Sequence, residues 1–240
     1  MFLPLIAVTL AVPIRPGTCL SFSGDSQVVV VPSQKAMDLE QATVEVWIKV
    51  EANERYYNYI LCHNYADLGY GLAIHGRPGK VFSQAADTTV PVGRWTHLAI
   101  AYSDKSEKVY VNGELAAARE RSGPLKPITK DMLVGNSDMF GSPGNEPTPF
   151  HGLIDEMRIW DKPLTQQEIR ARMGKYLRGN EAHLVAYFPF DEGVGQIAHD
   201  YTGHWISGSL GRSFQTDDGD PTWAEGVALK GKQPRIRARR

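Results

Sequence analysis

The stretch that decides the fold runs from residue 150 to 173: Phe150-His-Gly-Leu-Ile-Asp-Glu-Met-Arg-Ile-Trp-Asp-Lys-Pro-Leu-Thr-Gln-Gln-Glu-Ile-Arg-Ala-Arg-Met173. Alternation in its first half predicts a β-strand. One face carries Leu153, Asp155, Met157 and Ile159, and the other carries Ile154, Glu156, Arg158 and Trp160. This pattern puts Asp155 among apolar neighbours. An isolated buried carboxylate is too costly to keep ionised, so Asp155 must be hydrogen-bonded, paired or bound to a metal.

The second half of the stretch has the features of a helix start. Thr165 followed three residues later by Glu168 fits a capping box, and Pro163 marks the end of the strand. Ile169 and Met173 form an apolar stripe with i, i+4 spacing. The sequence therefore predicts one short helix directly after the strand that carries Asp155.

Composition is typical of a globular protein, with 240 residues, 42% hydrophobic and 22% charged. A net charge of −1 gives no reason to expect nucleic acid as the main partner. The terminal segment 229–240 contains basic residues and no acid. A run of like charges at a terminus is usually solvated, so this tail is predicted to be disordered.

The N-terminal segment 1–17 contains an apolar run, Phe2–Val12, of signal-peptide length and too short to span a bilayer. It predicts export, and thus a secreted or cell-surface protein. The alternative is an extended segment that packs on the domain, because no basic residue precedes the run and two prolines, Pro4 and Pro13, interrupt it. No other segment approaches the length of a membrane span.

Two cysteines, Cys19 and Cys62, are too few for a disulfide scaffold. A single disulfide between them is one alternative. Two independent buried thiols are the other, because free cysteine is commonly buried as a small hydrophobe.

Short alternating segments with turn signals between them dominate the rest of the chain. Thr43–Val50 and Trp95–Tyr102 alternate as half-buried strands do. Asn112-Gly113 between two alternating runs predicts a β-hairpin, because both central residues of a type I′ turn need positive φ. Pro189 predicts that the strand 184–190 lies at an edge or a bulge. Together these features predict an all-β sandwich of two antiparallel sheets.

Six motifs, in one order along the chain, resemble the laminin-G-like jelly-roll domains of the concanavalin A-like lectin/glucanase superfamily, over residues 18–228. They are Leu20-Ser-Phe-Ser-Gly-Asp25 with a valine run and Pro32, Thr43-Val-Glu-Val-Trp47, Trp95-Thr-His-Leu-Ala99, Val109-Tyr-Val-Asn-Gly113, Gly152-Leu-Ile-Asp-Glu-Met-Arg-Ile-Trp160 with Leu164 and Glu168-Ile169, and Tyr187-Phe-Pro-Phe-Asp-Glu-Gly193. The resemblance implies a non-catalytic jelly roll, usually secreted or on the cell surface. Such domains often bind carbohydrate and often carry one structural Ca²⁺.

The resemblance also implies where calcium would lie. The corresponding positions here are Gly24 and Asp25 in the turn after the first strand, and Asp155. Hard cations prefer oxygen ligands, and a buried carboxylate near free carbonyls supplies them. Ser23 stands where the family usually has an acid, which weakens the inference. The alternative is that backbone N–H groups and hydroxyls satisfy Asp155.

Glycoside hydrolases of the superfamily need two carboxylates flanking the scissile bond, about 5 Å apart for retention. Here Asp155 and Glu156 are adjacent and are predicted to point to opposite faces, while Glu45 stands alone on its strand. We therefore predict no enzyme and no catalytic residues. The segment 217–220, Asp-Asp-Gly-Asp, lacks the spacing of an EF-hand and is interpreted as a solvated turn.

Loop residues with aromatic rings or polar groups are the candidates for ligand binding, because binding loops sit on rigid sandwiches. One set is Tyr56, Tyr57, Asn64, Tyr65 and Asp67, and the other is Asp138, Phe140, Asn145 and Glu146. The alternative is that the loop tyrosines pack against sheet edges. The predicted function is recognition of a glycan or an extracellular protein surface, with a structural calcium site. A structural or adhesion domain without a small ligand and a glycoside hydrolase are the competing hypotheses.

Overall fold

The computed structural model describes residues 17–51, 57–65, 68–75, 80–82, 89–137, 149–213 and 215–231. The strands, in chain order, are β1 (Thr18–Ser23), β2 (Val29–Val31), β3 (Ala42–Val50), β4 (Tyr57–Tyr65), β5 (Leu68–His75), β6 (Lys80–Phe82), β7 (Trp95–Tyr102), β8 (Ser106–Val111), β9 (Glu114–Glu120), β10 (Met132–Val134), β11 (His151–Trp160), β12 (Leu184–Phe188), β13 (Ile197–Ala198), β14 (Gly208–Leu210) and β15 (Thr222–Glu225). A 3₁₀ turn, Lys35–Met37, follows β2, and the helix α1, Gln166–Arg172, follows β11.

These strands form two antiparallel sheets, which confirms the predicted all-β sandwich. The first sheet has the order β15-β1-β11-β3-β7-β8-β9, with β12 paired to β11, and the second has the order β13-β14-β2-β10-β4-β5-β6. The main apolar core contains Val44, Val46 and Ile48 from one face of β3, together with side chains of both sheets. None of the described helical segments is both long and apolar enough to cross a membrane.

The predicted hairpin joins β8 and β9. Asn112 and Gly113 have φ of 51° and 75°, as a type I′ turn requires. The strand β12 ends at Phe188, directly before Pro189, and pairs with β11 along one edge. Local sequence thus sets both the turn of this hairpin and the point at which β12 ends.

The central strand β11 departs from the predicted alternation at one place. Asp155 pairs with Trp47 of β3, and Arg158 is the next residue paired, with Glu45. Three steps along β11 therefore match two along β3, which is a β-bulge. Glu156 lies in the bulge with φ of 54°, a left-handed conformation that is rare for a non-glycine residue.

The bulge reverses the faces of the strand, so the prediction that Asp155 shares a face with Met157 and Ile159 is wrong. Ile154, Met157 and Ile159 all belong to the core between the sheets. Asp155 lies opposite Trp47, whose indole Nε1 donates to the Met173 carbonyl on the outer side of the sheet. Directly opposed residues of an antiparallel pair share a face. Asp155 therefore lies on the outer face, away from the core.

Glu156 lies on this outer face as well. Its carboxylate accepts hydrogen bonds from Arg158 Nη2 at 2.6 Å and from the Tyr187 hydroxyl at 2.8 Å. The prediction that Asp155 and Glu156 point to opposite faces is also wrong, because one extra residue in a strand shifts every later side chain to the other face.

A second apolar layer covers this outer face. Its members are Ala99, Ala101, Tyr110, Trp160, Leu164, Ile169, Leu177, Leu184, Tyr187 and Tyr201. Ile169 belongs to α1, so the helix packs on the outside of the first sheet rather than between the sheets.

Arg158 ties the helix to the sheet. Its side chain is fully buried, and besides Glu156 it donates to the Arg172 carbonyl at 3.2 Å and to the Lys175 carbonyl at 2.7 Å. These carbonyls lie at and beyond the C-terminal end of α1, where a positive charge is favourable. A single guanidinium thus neutralises Glu156 and fixes the end of the helix.

The capping box predicted at the start of α1 is confirmed. The Thr165 hydroxyl accepts from the Glu168 N–H at 3.3 Å, and the Glu168 carboxylate accepts from the Thr165 N–H at 2.9 Å. Lys162 Nζ also donates to Glu168 at 2.6 Å. The hydrogen bond from Lys162, followed by the bond from Thr165, lowers the pKa of Glu168 to about 2.

Arg158→Met is expected to lower the free energy of unfolding by about 3–5 kcal/mol, because it leaves the buried Glu156 carboxylate without its cation. Urea unfolding followed by tryptophan fluorescence measures this loss. The matched control is Arg170→Met, since the Arg170 side chain is 48% exposed. It should cost less than about 1 kcal/mol. Equal losses for the two variants would contradict the role given to Arg158.

Glu168→Ala is expected to cost about 1 kcal/mol near neutral pH, because it removes the capping box and the contact with Lys162. The folded pKa of Glu168, about 2, is below its ordinary value of 4.5. Its contribution is therefore complete above pH 4.5 and disappears as the pH falls through about 2. Urea unfolding of the variant between pH 7 and pH 2 tests this, with Gln167→Ala as the control. A penalty for Glu168→Ala that stays constant down to pH 2 would contradict it.

Candidate functional site

The predicted calcium ligands do not come together in the structure. Ser23, at the end of β1, pairs with His151, and a Cβ at Gly24 would lie 3.0 Å from the His151 Cβ. Asp155 lies four residues further along β11, about 13 Å away at 3.3 Å per residue. Asp25 is exposed and accepts from the Ser23 hydroxyl at 2.8 Å. Gly24 and Asp25 therefore do not form one site with Asp155, and a calcium ion bound by all three does not fit this geometry.

Asp155 is only partly satisfied where it lies. It is 2% exposed, and its Oδ2 accepts from the Val227 N–H at 2.8 Å. Its Oδ1 is buried and has no hydrogen-bond partner among the described residues. Burial, followed by the charge of Glu156, holds the pKa of Asp155 well above its usual range. A backbone N–H thus satisfies one of the two carboxylate oxygens. This agrees in part with the alternative to calcium, in which backbone N–H groups and hydroxyls satisfy Asp155.

No group of three or more His, Cys, Asp or Glu side chains is arranged to hold a metal ion within the described ranges. Calcium binding at Asp155 consequently stays a prediction, without Gly24 and Asp25 as co-ligands.

The two cysteines are separate buried thiols. Cys19 lies in the first sheet, where its Sγ donates to the Glu225 carbonyl at 3.3 Å. Cys62 lies in the second sheet and accepts from the Ser137 hydroxyl at 3.3 Å. Of the two alternatives drawn from the sequence, the structure has independent thiols and not a disulfide.

Most of the predicted ligand-binding residues lie outside the described residues. These are Tyr56, Asp67, Asp138, Phe140, Asn145 and Glu146. Tyr57, Asn64 and Tyr65 are described as backbone positions of β4 only. Both loop sets therefore stay predictions.

The acids that a glycoside hydrolase would use are covered by α1 and the loop after it. Glu45 is fully buried, accepts from Trp160 Nε1 at 2.7 Å and lies 3.5 Å from His97 Nε2. Glu156 is 1% exposed and bound to Arg158 and Tyr187. Burial raises the pKa of Glu156 to about 7, against the opposing effect of Arg158. These carboxylates stabilise the covered sheet and do not face an open groove.

An open groove lies at one end of the sandwich. It has a volume of about 510 Å³, within the range of small-ligand sites. Its walls come from the 3₁₀ turn, the end of β11, the loop before β12 and the loop between β13 and β14. The polar residues that line it are Asp161, Asn180, Glu181, His183 and His204.

Pairing of β11 with β12 brings the first wall together. The Asp161 N–H donates to the His183 carbonyl at 3.0 Å, and His183 Nδ1 lies 2.7 Å from Asp161 Oδ1. Both side chains are about half exposed, at 53% for His183 and 46% for Asp161. A carboxylate only accepts when ionised, so Nδ1 is the donor and a neutral ring presents Nε2 as an acceptor.

His204, from the loop between β13 and β14, has the same arrangement. Its Nδ1 lies 2.8 Å from the Val185 carbonyl, which only accepts, so Nδ1 carries the hydrogen. Its neutral ring also leaves Nε2 as an acceptor. Glu181, by contrast, is occupied, because its carboxylate accepts from the N–H groups of residues 178, 179 and 180. With both rings neutral, the groove offers two imidazole acceptors, and the Asp161 carboxylate accepts a hydrogen bond from one of the two rings.

Trp205 directly follows His204 and exposes 39% of its surface. His183 and Trp205 have φ of 73° and 59°. Non-glycine residues in this region cost on the order of 1–3 kcal/mol, and such strain clusters at functional sites. The sequence contains no signal for the groove, because its polar residues come from three segments that are 19 or more residues apart and meet only when the sheets form.

Comparison with known proteins places the chain in a family. Residues 22–170 match the family model described as the concanavalin A-like lectin/glucanases superfamily. The chain is 34% identical over 119 residues to the pentraxin-related protein PTX3 of Mus musculus, which covers 45% of this chain and 30% of that protein. It is 25% identical over 190 residues to pappalysin-1 of Mus musculus, covering 67% of this chain and 11% of that protein. The chain thus spans less than a third of the length of either relative.

Among solved structures, a putative carbohydrate binding protein from Bacteroides ovatus superposes with a TM-score of 0.70 at 20% identity, covering 91% of this chain and 62% of that chain. At this identity the likeness is one of fold. Since two antiparallel sheets surround one core and the family model matches more than half of the sequence, the chain belongs to the concanavalin A-like lectin/glucanase superfamily.

Proposed function

We propose that the protein is a non-catalytic recognition module that binds a glycan in the groove between Asp161, His183 and His204. The observation that carries the proposal is the pair of imidazole Nε2 acceptors that line one groove, each fixed by a hydrogen bond at Nδ1. Sugar hydroxyls both donate and accept, so acceptors held in fixed positions suit them. The lectin superfamily and the carbohydrate-binding description of the Bacteroides ovatus protein support the same function.

Trp205 supplies the apolar component that sugars also need. Its ring is large, partly exposed and adjacent in the chain to His204. Aromatic rings with one wet face serve as contact surfaces of this kind. We assign Trp205 the role of stacking against one sugar face while the imidazoles accept hydroxyl hydrogens.

We include an extracellular location in this proposal, because residues 1–17 predict export and glycans are commonly displayed outside cells. The same groove also suits a polar peptide segment of an extracellular protein. Binding of protein alone would support the structural or adhesion hypothesis instead.

Catalysis is not part of the proposal. Glu45 and Glu156 are engaged by Trp160, Arg158 and Tyr187 beneath the outer apolar layer. Within the groove, Glu181 is bound by three backbone N–H groups and Asp161 by His183. Glycoside hydrolysis needs two carboxylates that flank the scissile bond, whereas these four are buried beneath the outer layer or already accept hydrogen bonds from the protein.

Trp205→Asn is expected to weaken glycan binding about tenfold, which corresponds to about 1.4 kcal/mol. Asparagine tolerates positive φ, so the substitution removes the ring without adding backbone strain. A glycan array first identifies the ligand, and isothermal titration calorimetry then compares the variant with the native chain.

The matched control is Val194→Asn, which replaces a side chain that is 77% exposed and outside the groove. It should bind like the native chain. A bound glycan whose affinity is unchanged by Trp205→Asn would contradict the stacking role assigned to Trp205. No glycan bound on a broad array would contradict the carbohydrate function itself.

A further inference from the structure

The loop 211–220 differs from the solvated turn predicted for residues 217–220. Asp217 and Asp218 are exposed, but Asp220 is only 7% exposed. The loop is anchored at both ends on Val28, the residue directly before β2. The Gly211 N–H donates to the Val28 carbonyl at 2.8 Å, and the Val28 N–H donates to the Gly219 carbonyl at 3.1 Å.

Asp220 has one satisfied and one unsatisfied oxygen. Its Oδ2 accepts from the Asp217 N–H at 3.1 Å. Its Oδ1 is buried and has no hydrogen-bond partner among the described residues. Leaving such a buried acceptor unsatisfied is costly, so an orphaned carboxylate oxygen in a native fold requires an explanation.

The orphaned oxygen lies near a carboxylate oxygen of Asp217. Gly211 has φ of 72°, and a Cβ there would collide with Asp220 Oδ1 and lie 3.7 Å from Asp217 Oδ1. Both carboxylate oxygens therefore lie around the position that a side chain at residue 211 would fill. Asp217 Oδ1 also accepts from the Gly219 N–H at 2.8 Å, which fixes its orientation.

A second side chain leaves an unsatisfied oxygen near this loop. Gln196 Nε2 donates to the Thr216 hydroxyl at 3.2 Å, next in the chain to Asp217. Its Oε1 is buried and has no hydrogen-bond partner among the described residues. Two buried side-chain oxygens at this segment, one of Asp220 and one of Gln196, therefore have no donor among the described residues.

We propose that Asp217 and Asp220 bind a divalent cation of the calcium class above Gly211. Ca²⁺ takes six to eight oxygen ligands, and two carboxylates with backbone carbonyls and water suit it. A site that retains water and has only two carboxylates belongs with weak extracellular sites, with Kd of about 10⁻⁴–10⁻³ M. This site is separate from Asp155 on the outer face of the first sheet, and it does not depend on glycan binding.

The test is thermal unfolding of the full chain in EDTA and in about 10 mM CaCl₂ at constant ionic strength, with isothermal titration calorimetry of CaCl₂. At free Ca²⁺ tenfold above Kd, the Tm of the native chain is expected to rise by about 3–6 °C. Asp220→Asn keeps the acceptor for the Asp217 N–H but removes the charge, and it should lose the shift. Asp217→Asn, at an exposed position, should also lose it and covers the case in which Asp220→Asn does not fold.

The matched control is Asp218→Asn, which removes the same charge from the neighbouring exposed position and should keep the full shift. Asp155→Asn should also keep it. The proposal is overturned if calcium does not change the Tm of the native chain, or if the shift persists in both Asp217→Asn and Asp220→Asn. It is equally overturned if the shift is lost in Asp218→Asn or in Asp155→Asn.

Discussion

The buried ion pair between Arg158 and Glu156 is the interaction on which the first sheet and its helix both depend. A carboxylate and a guanidinium with no solvent access carry a large desolvation cost, which close pairing and further hydrogen bonds must offset. Here the further bonds are those to the Tyr187 hydroxyl and to the carbonyls of Arg172 and Lys175. The bulge at Glu156 makes the arrangement feasible, because it directs Glu156 and Arg158 to the outer face while Ile154 stays in the core, at the expense of a left-handed backbone conformation.

Covering the outer face restricts where ligands can bind. Antiparallel sheets commonly leave one face in water. Here α1 and the segment after it close the outer face of the first sheet over Trp160 and Tyr187, so the acids of β3 and β11 act within a second packed layer. Functional groups must then come from the loops at the ends and edges of the sandwich. Both the groove at His183 and His204 and the loop 211–220 lie in such positions.

The sequence predicts those features that depend on neighbours in the chain. The capping box at Thr165 and the hairpin at Asn112-Gly113 require residues at most three positions apart, and both form as expected. The prediction of which face each side chain of β11 takes is wrong at Asp155 and Glu156, because the bulge contains no glycine to mark it. The hydrogen bond that helps to satisfy the buried Glu156 comes from Tyr187, 31 residues away. The groove and the orphaned oxygen of Asp220 were beyond prediction for the same reason, since each depends on strands that meet only in the folded sheets.

Asp155 and Asp220 illustrate how two partly satisfied carboxylates can differ in their consequences. Asp155 lies beneath Gly226 and Val227, where a Cβ at Gly226 would lie 2.7 Å from the Thr18 carbonyl, so the backbone closes directly over it. A proton can neutralise such a group, and the raised pKa of Asp155 agrees with this. Asp220 instead shares its space with the exposed Asp217 in a surface loop. A cation bound between these two side chains would contact a loop and would not displace strands, which is why the loop, and not the central strand, is the better place for reversible metal binding.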